Sequence, residues 1–402
     1  MKWTEKNVKR NLGLYYGYSL FGNLDFARGL FVLFLLSRGM TTGQVGILQT
    51  ALFWSNLLSE IPAGLLADKT RRKYSVSAGL ILIALAASLM IFGDSFYAFL
   101  AIFILHGMGF ALRSGADGAL LFDGLKEAGV DWEIQYLSIG ARARGVANVS
   151  MGAAIALGGF LFGLGWNFVY MSFAVSMVIG AACTLSVSES HRHGSKESVG
   201  PGLIVSLKAF FANRRGKALL GFLLGMGFLE ASHAPFFIFT QVLFKSYGLS
   251  EVWIGVLIAS SMGVTAIAYL FAEKLSSIGV RGIVFGGSLL TSLLTFTFFW
   301  NPPVAVAIAL YIVIDMVPSL IFVHTDNYIN HHAPSEIRAT VLSVHSFISS
   351  IFISAAFLSG GFLMESHSPW LVLASLGILP LAGVIALSFH FRTEERCLPV
   401  LN

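Results

Sequence analysis

The stretch Gly22 to Leu33, reading GNLDFARGLFVL, constrains this chain more than any other. It lies inside an apolar run from about Leu12 to Leu36, long enough to cross a bilayer as a helix, yet it carries Asp25 and Arg28 near mid-depth. A charge at the centre of a bilayer costs roughly 2.5 to 3.5 kcal/mol on insertion scales, a large part of the margin by which a protein is folded. The two side chains therefore have to face protein or water. Three positions apart on a helix, they are expected to share one face and to pair with each other.

Composition extends this to the whole chain. A sequence of 402 residues that is 56% hydrophobic and 12% charged lacks the polar surface a soluble protein of that size needs. Its apolar runs are near 20 residues long and continuous rather than alternating, so an all-α membrane protein is expected and a barrel is not. The 42 glycines suit close helix packing. The basic balance, 26 Lys and Arg against 21 Asp and Glu, sits in short loops beside apolar spans and reads as a topology signal, with no nucleic-acid partner. Cys183 and Cys397 are too far apart in context to argue a disulfide. The basic start MKWTEKNVKR precedes a span too long for a signal segment and without a small-residue cleavage site, so it is expected to be retained.

Cuts at charged or Gly/Pro-marked gaps give twelve spans, near 12–37, 44–66, 74–92, 97–122, 145–163, 167–187, 217–244, 252–272, 282–300, 303–328, 339–362 and 370–391. Twelve transmembrane helices place both termini on one side, and roughly 22 of the 26 Lys and Arg then fall on that side, which makes it cytoplasmic. The longest polar interval divides six spans from six. The expected organisation is an N-terminal six-helix half at 1–188, a cytoplasmic linker at 189–216 and a C-terminal six-helix half at 217–402. Within the linker, Leu203, Leu207, Phe210 and Phe211 form one stripe beside Lys208, Arg214 and Arg215, as in a helix lying on the inner leaflet.

Away from helix ends, the ionisable residues inside the spans are Asp25, Arg28, Glu60, Arg113, Asp117, Glu230 and Asp315. Glu60 apart, they occupy every third span. Four three-helix repeats whose first helices line a shared cavity produce this spacing. Five acids against two bases make such a cavity acidic, which favours protons and cationic or zwitterionic solutes. Arg28 or Arg113 remains available to clamp one carboxylate or phosphate. The coupling proton is expected on Glu230 with His233, or on Asp315, the acids with no basic neighbour on their own helix beyond His233. Pro235 and Pro318 each free a backbone carbonyl beside those acids. His324, Asp326, His331 and His332 read as a wet helix end, and no metal site is expected.

The turn Gly64-Leu-Leu-Ala-Asp-Lys-Thr-Arg-Arg-Lys73, preceded by Glu60-Ile-Pro-Ala, resembles the loop signature G-x-L-x-D-R-x-G-R-R/K of the major facilitator superfamily. Its lead-in resembles a prokaryotic efflux-like branch, as do Ser114-Gly-Ala-Asp-Gly-Ala119 and Pro334-Ser-Glu-Ile-Arg-Ala-Thr-Val341. Arg71 stands where the signature has glycine, and the turn after span 8 keeps only Glu273 and Arg281. The resemblance implies that Glu60, Gly64, Asp68, Arg72 and Asp123 form a cytoplasmic gate. Asp68 is placed to cap the start of span 3, and Arg72 to reach Asp123 at the inner end of span 4.

No phosphate loop, HExxH, nucleophile elbow or Cys/His constellation occurs, so neither ATP hydrolysis nor a cofactor is expected, and the protein is not expected to be an enzyme. The leading expectation is a secondary transporter in the cytoplasmic membrane, coupling protons to export of a small amphiphilic cationic or zwitterionic compound by alternating access. The resemblance implies a monomer. Proton-symport uptake of a nutrient is the nearest alternative, and a lipid-modifying membrane enzyme the more distant one.

Overall fold

The computed structural model describes residues 3–4, 7–129, 132–189, 210–269, 271–334 and 337–395. Every regular element among them is helical, as backbone without water to bond requires. The expected first span is broken: α1 (Val8–Phe21) stops, residues 22–30 turn, and α2 (Phe31–Ser37) resumes. Short polar side chains that bond nearby backbone compete with the helical pattern, and here two do so. The Asn23 amide donates to the Ser19 carbonyl at 2.7 Å, and Asp25 Oδ1 accepts the Ala27 N–H at 3.1 Å. Asp25 and Arg28 thus sit on a turn and not on one face of a helix, which corrects that expectation.

Next come α3 (Thr42–Lys69), α4 (Arg72–Met90), α5 (Phe96–Arg113), α6 (Ala116–Glu127), α7 (Trp132–Phe162) and α8 (Trp166–Ser186). Beyond the linker lie α9 (Arg214–Ser246), α10 (Glu251–Tyr269), α11 (Gly287–Phe296), α12 (Val304–His332), α13 (Arg338–Ser366), α14 (Pro369–Ser375) and α15 (Ile378–Glu395). The expected fourth span divides into α5 and α6 at Ser114–Gly115, where Gly115 takes φ +74°, a conformation L side chains resist. A π-helical turn, Gly282–Gly286, leads into α11. Helices α9 and α12 run on through Pro235 and Pro318.

Among the described residues ten helical segments are long and apolar enough to cross a membrane, which makes this a multi-pass membrane protein. The expected twelve differ at the first two spans. The first is in pieces of 14 and 7 residues. The second, α3, is long enough, but Gln44, Gln49, Asn56 and Glu60 reduce its apolar character.

Two compact units make up the chain, one of residues 1–40, 51–195 and 249–259, the other of 41–50, 196–248 and 260–402. In the first, α4 lies against α5 and α8, and α1 against α7 and α8. Helix α7 approaches the 22–30 turn so closely that a Cβ on Gly158 would overlap the Phe26 carbonyl oxygen. In the second unit α9 is central, packing on α12, α13, α14 and α15 around Phe222, Leu223, Met226, Leu229, Ile321 and Leu387. Phe210 and Phe211 pack against that core instead of being left for a leaflet. Leu203, Leu207 and Lys208 of the same stripe, with His191, Arg192, His193 and Cys397, lie outside the described residues. Residues 41–50 of α3 join α13 in this unit: the Thr42 hydroxyl donates to the Gly361 carbonyl at 2.9 Å, and the Gly43 N–H to Glu365 Oε1 at 3.1 Å.

These contacts separate two glycines of α7. Gly158→Val is expected to lower stability by about 1–3 kcal/mol through overpacking against Phe26. Gly152→Ala, with nothing within 4 Å of its added Cβ, is expected to leave stability unchanged or slightly raised. Thermal unfolding in detergent reads both, and equal melting of the two variants would mean that the close approach carries no load.

Candidate functional site

The break in the first span leaves the carbonyl end of α1 without helical partners, and the first unit meets it with a half-buried guanidinium. Arg113, at the end of α5, donates from Nη1 to the Gly22 carbonyl at 2.7 Å, from Nη2 to Asn23 Oδ1 at 2.8 Å and from Nε to the Tyr18 hydroxyl at 2.8 Å. Tyr18 passes the interaction on, its hydroxyl donating to Asp117 Oδ2 at 2.9 Å. Arg113 and Asp117, both candidates within one expected span, are thus linked through a tyrosine of another helix. Asp117 itself sits in the first turn of α6, where a carboxylate suits the helix dipole and bonds the Gly118 N–H at 2.7 Å.

Asp25 and Arg28 lie on the turn that this network fixes. The charge of Arg28 acts both on Asp25 and on His106 of α5. His106 is held between Phe110 and Phe173, at ring-centroid distances of 4.7 and 6.1 Å, and its Nε2 is buried without a partner among the described residues. A carboxylate, a guanidinium and an imidazole within one unit offer both signs of charge to a polar solute.

The second unit brings sequence candidates from different helices together. His233 Nε2 on α9 lies 3.1 Å from Asp315 Oδ1 on α12, with Asp315 buried and its carbonyl accepting from Ser319 at 2.9 Å. Glu230, one turn back on α9, faces a residue outside the sequence candidates: His345 Nε2 on α13 stands 3.7 Å from its Oε1. The signal for His345, and for His106, is a histidine inside an apolar span, invisible to a survey restricted to acids, lysine and arginine.

At the α3–α4 turn the expected Arg72–Asp123 ion pair is present, and Arg72 Nη1 also donates to the Ala119 carbonyl at 2.8 Å. The cap on α4 comes from Glu189, which accepts the N–H groups of Arg72 at 2.8 Å and Lys73 at 3.1 Å. The side chains of Asp68, Glu273 and Asp326 lie outside the described residues. Arg71 takes φ −98° and ψ 136°, an extended conformation open to any residue, so the turn does not need the glycine of the signature. Gly64 has open space around a notional Cβ, and neither it nor Glu60 bonds to this cluster among the described residues. His332 bonds the Tyr328 carbonyl at 2.9 Å, and no group of three metal-ligating side chains is found among the described residues.

Arg113→Lys keeps the charge but not the fork that serves three acceptors. It is expected to cost about 2–4 kcal/mol because buried acceptors lose their donors. Tyr18→Phe removes one bridge and is expected to cost about 1 kcal/mol. Unfolding temperatures in detergent check the order, and a lysine variant as stable as wild type would remove Arg113 from the support of the turn.

A search of curated proteins by sequence returns no relative of this chain. Among solved structures the chain is similar to a mutant form of the nucleoside transporter NupG, with TM-score 0.80 and 15% identity over 96% of this chain and 100% of that one. It is similar also to the POT family transporter PepTSo, with TM-score 0.74 and 10% identity over 96% and 98%. A bacterial homologue of the iron transporter ferroportin in its inward-facing state gives TM-score 0.69 and 16% identity over 98% and 100%. The family profile described as Major Facilitator Superfamily matches residues 17–357. The chain belongs to the Major Facilitator Superfamily and is a secondary transporter rather than an enzyme.

Proposed function

We propose that this transporter couples protons to the export of a small amphiphilic cationic or zwitterionic compound, as a member of the prokaryotic efflux-like branch. The observation that carries this reading is the meeting of His233 and Asp315 from separate helices at 3.1 Å, inside spans where a charge has no reason to be kept for packing. An imidazole and a carboxylate at that distance hold a proton between them and release it when their surroundings change. In the first unit Asp25 and Arg28 supply opposite charges for a solute, while Arg113 and Asp117 hold the turn that carries them. Five acids against two bases among the sequence candidates favour a positively charged group on the substrate. Arg72 and Asp123, with Glu189 as the cap, act as the cytoplasmic gate, joined in this proposal by Glu60, Gly64 and Asp68. The halves are taken as residues 1–188 and 217–402, joined by 189–216, in a monomer whose termini face the cytoplasm across the plasma membrane.

The test is a flux screen in proteoliposomes, with a panel of amphiphilic amines and small metabolites under an imposed pH gradient. Gradient-driven movement of an amine is expected, with proton flow opposed to it, and Asp315→Asn and Glu230→Gln are expected to abolish the gradient-driven component. Full flux in both variants would remove the proton reading. Proton and solute moving in the same direction would replace export by uptake.

A further inference from the structure

The acids proposed to carry the coupling proton do not share one partner. His233 closes on Asp315 of α12, whereas Glu230, three residues earlier on α9, faces His345 of α13 at 3.7 Å. His345 is 8% exposed and its Nε2 is buried with no hydrogen-bond partner among the described residues. Ser349, one turn further along α13, is 4% exposed with its Oγ in the same condition. Leaving such groups unsatisfied is destabilising, so packing gives no reason to keep an imidazole and a hydroxyl here. A proton gives one. Once the imidazole is charged, the pair, now at 3.7 Å, closes by about 0.8–1.0 Å to become a charge-assisted hydrogen bond.

The helices around this pair carry few other titratable groups away from their ends. Helix α13 packs on α9, α12 and α14 and, towards its C-terminal end, on residues 41–50. From α9 the titratable groups are Glu230 and His233, with Arg214, Arg215, Lys217 and Lys245 at the helix ends; from α12 they are Asp315 and His324, with Asp326, whose side chain lies outside the described residues, and His331 and His332 towards its end. Helix α13 itself has Arg338 and Glu365 at its ends, and α14 and residues 41–50 carry none.

We propose that His345 shares a proton with Glu230, so that the second unit holds two carboxylate–imidazole pairs, Glu230–His345 and Asp315–His233, each taking one proton. The proposal deepens the proton-coupled reading and rests on it for its role in transport. Nothing is transferred but a proton between Oε1 and Nε2, so His345 is a positioning residue for the charge on Glu230. Ser349 supplies the hydroxyl that such a pair, or a water joining it, bonds on closing.

Infrared difference spectroscopy between acid and neutral pH, on the full chain in lipid nanodiscs, reads carboxylic-acid carbonyl bands without any transported solute. One band is expected to vanish in Glu230→Gln and to shift in His345→Gln; a second is expected to vanish in Asp315→Asn and to shift in His233→Gln, each shift larger than the one that the other pair's histidine variant causes. A Glu230 band that His345→Gln leaves in place, or that His233→Gln moves equally, overturns the pairing. Should His345→Gln not fold, His345→Asn carries the same comparison. The expected band pattern in a protein without pH-driven flux would keep the pairing and remove the coupled-transport reading; flux lost in Glu230→Gln, with a band indifferent to His345, would do the reverse.

Discussion

A guanidinium set against the cut end of a helix is the interaction on which the first unit depends. Breaking a membrane-embedded helix leaves carbonyls that lipid cannot satisfy, and the turn at residues 22–30 exists because Arg113 reaches across from α5 to take the Gly22 carbonyl and the Asn23 side chain. The same arginine bonds Tyr18, and through it Asp117, so the break, the end of α5 and the start of α6 form one polar network. Its charge is partly balanced by Asp117 and by the negative end of the α1 dipole. This support lets Asp25 and Arg28 remain where an unbroken helix would have held them on its side.

The interrupted spans also decide how much was legible from residues alone. Period and length revealed the all-helical membrane class and most span positions, because a continuous apolar run near 20 residues has few other solutions. What misled was the assumption that an apolar run is one helix. Asn23 and Asp25 contain the local signal for the break, since both residue types bond their own backbone, but the partner that makes it tolerable, Arg113, is 90 residues away in sequence from Asn23. The α3–α4 turn shows the same division. The Arg72–Asp123 pair followed from the turn signature, whereas Glu189, which caps α4, belongs to a stretch that reads only as the start of a linker.

Glu189 ties that stretch to more than the cap. Next to it, Ser188 accepts the Trp3 indole N–H through its carbonyl at 2.6 Å and donates its own N–H to Asn11 Oδ1 at 3.2 Å, while Lys73 donates to the carbonyls of Leu185 and Val187, each at 3.0 Å. Trp3 is 1% exposed and its ring lies against Gly124 of α6. The residues before α1, the end of α8 and the α3–α4 turn are therefore one bonded cluster, so movement of Arg72 relative to Asp123 is felt by the start of the linker as well. The signature alone pairs Arg72 with Asp123; the fold adds a backbone frame around that pair.

In the second unit the decisive feature is that α9 presents Glu230 and His233 one turn apart to two different helices. Residues at i and i+3 lie on adjacent parts of a helix surface, so a rotation of α9 that tightens one contact moves the other in the same sense around the axis. In the proposed reading, α12 and α13 compete for the orientation of α9, and the charge on each imidazole sets the strength of its hold. Pro235, two residues beyond His233, removes a backbone hydrogen bond from α9 and lowers the cost of such adjustment at the place where both pairs act. The proposal thus links proton occupancy to helix orientation through two contacts of a few ångströms, without a conformational signal having to travel the length of the chain.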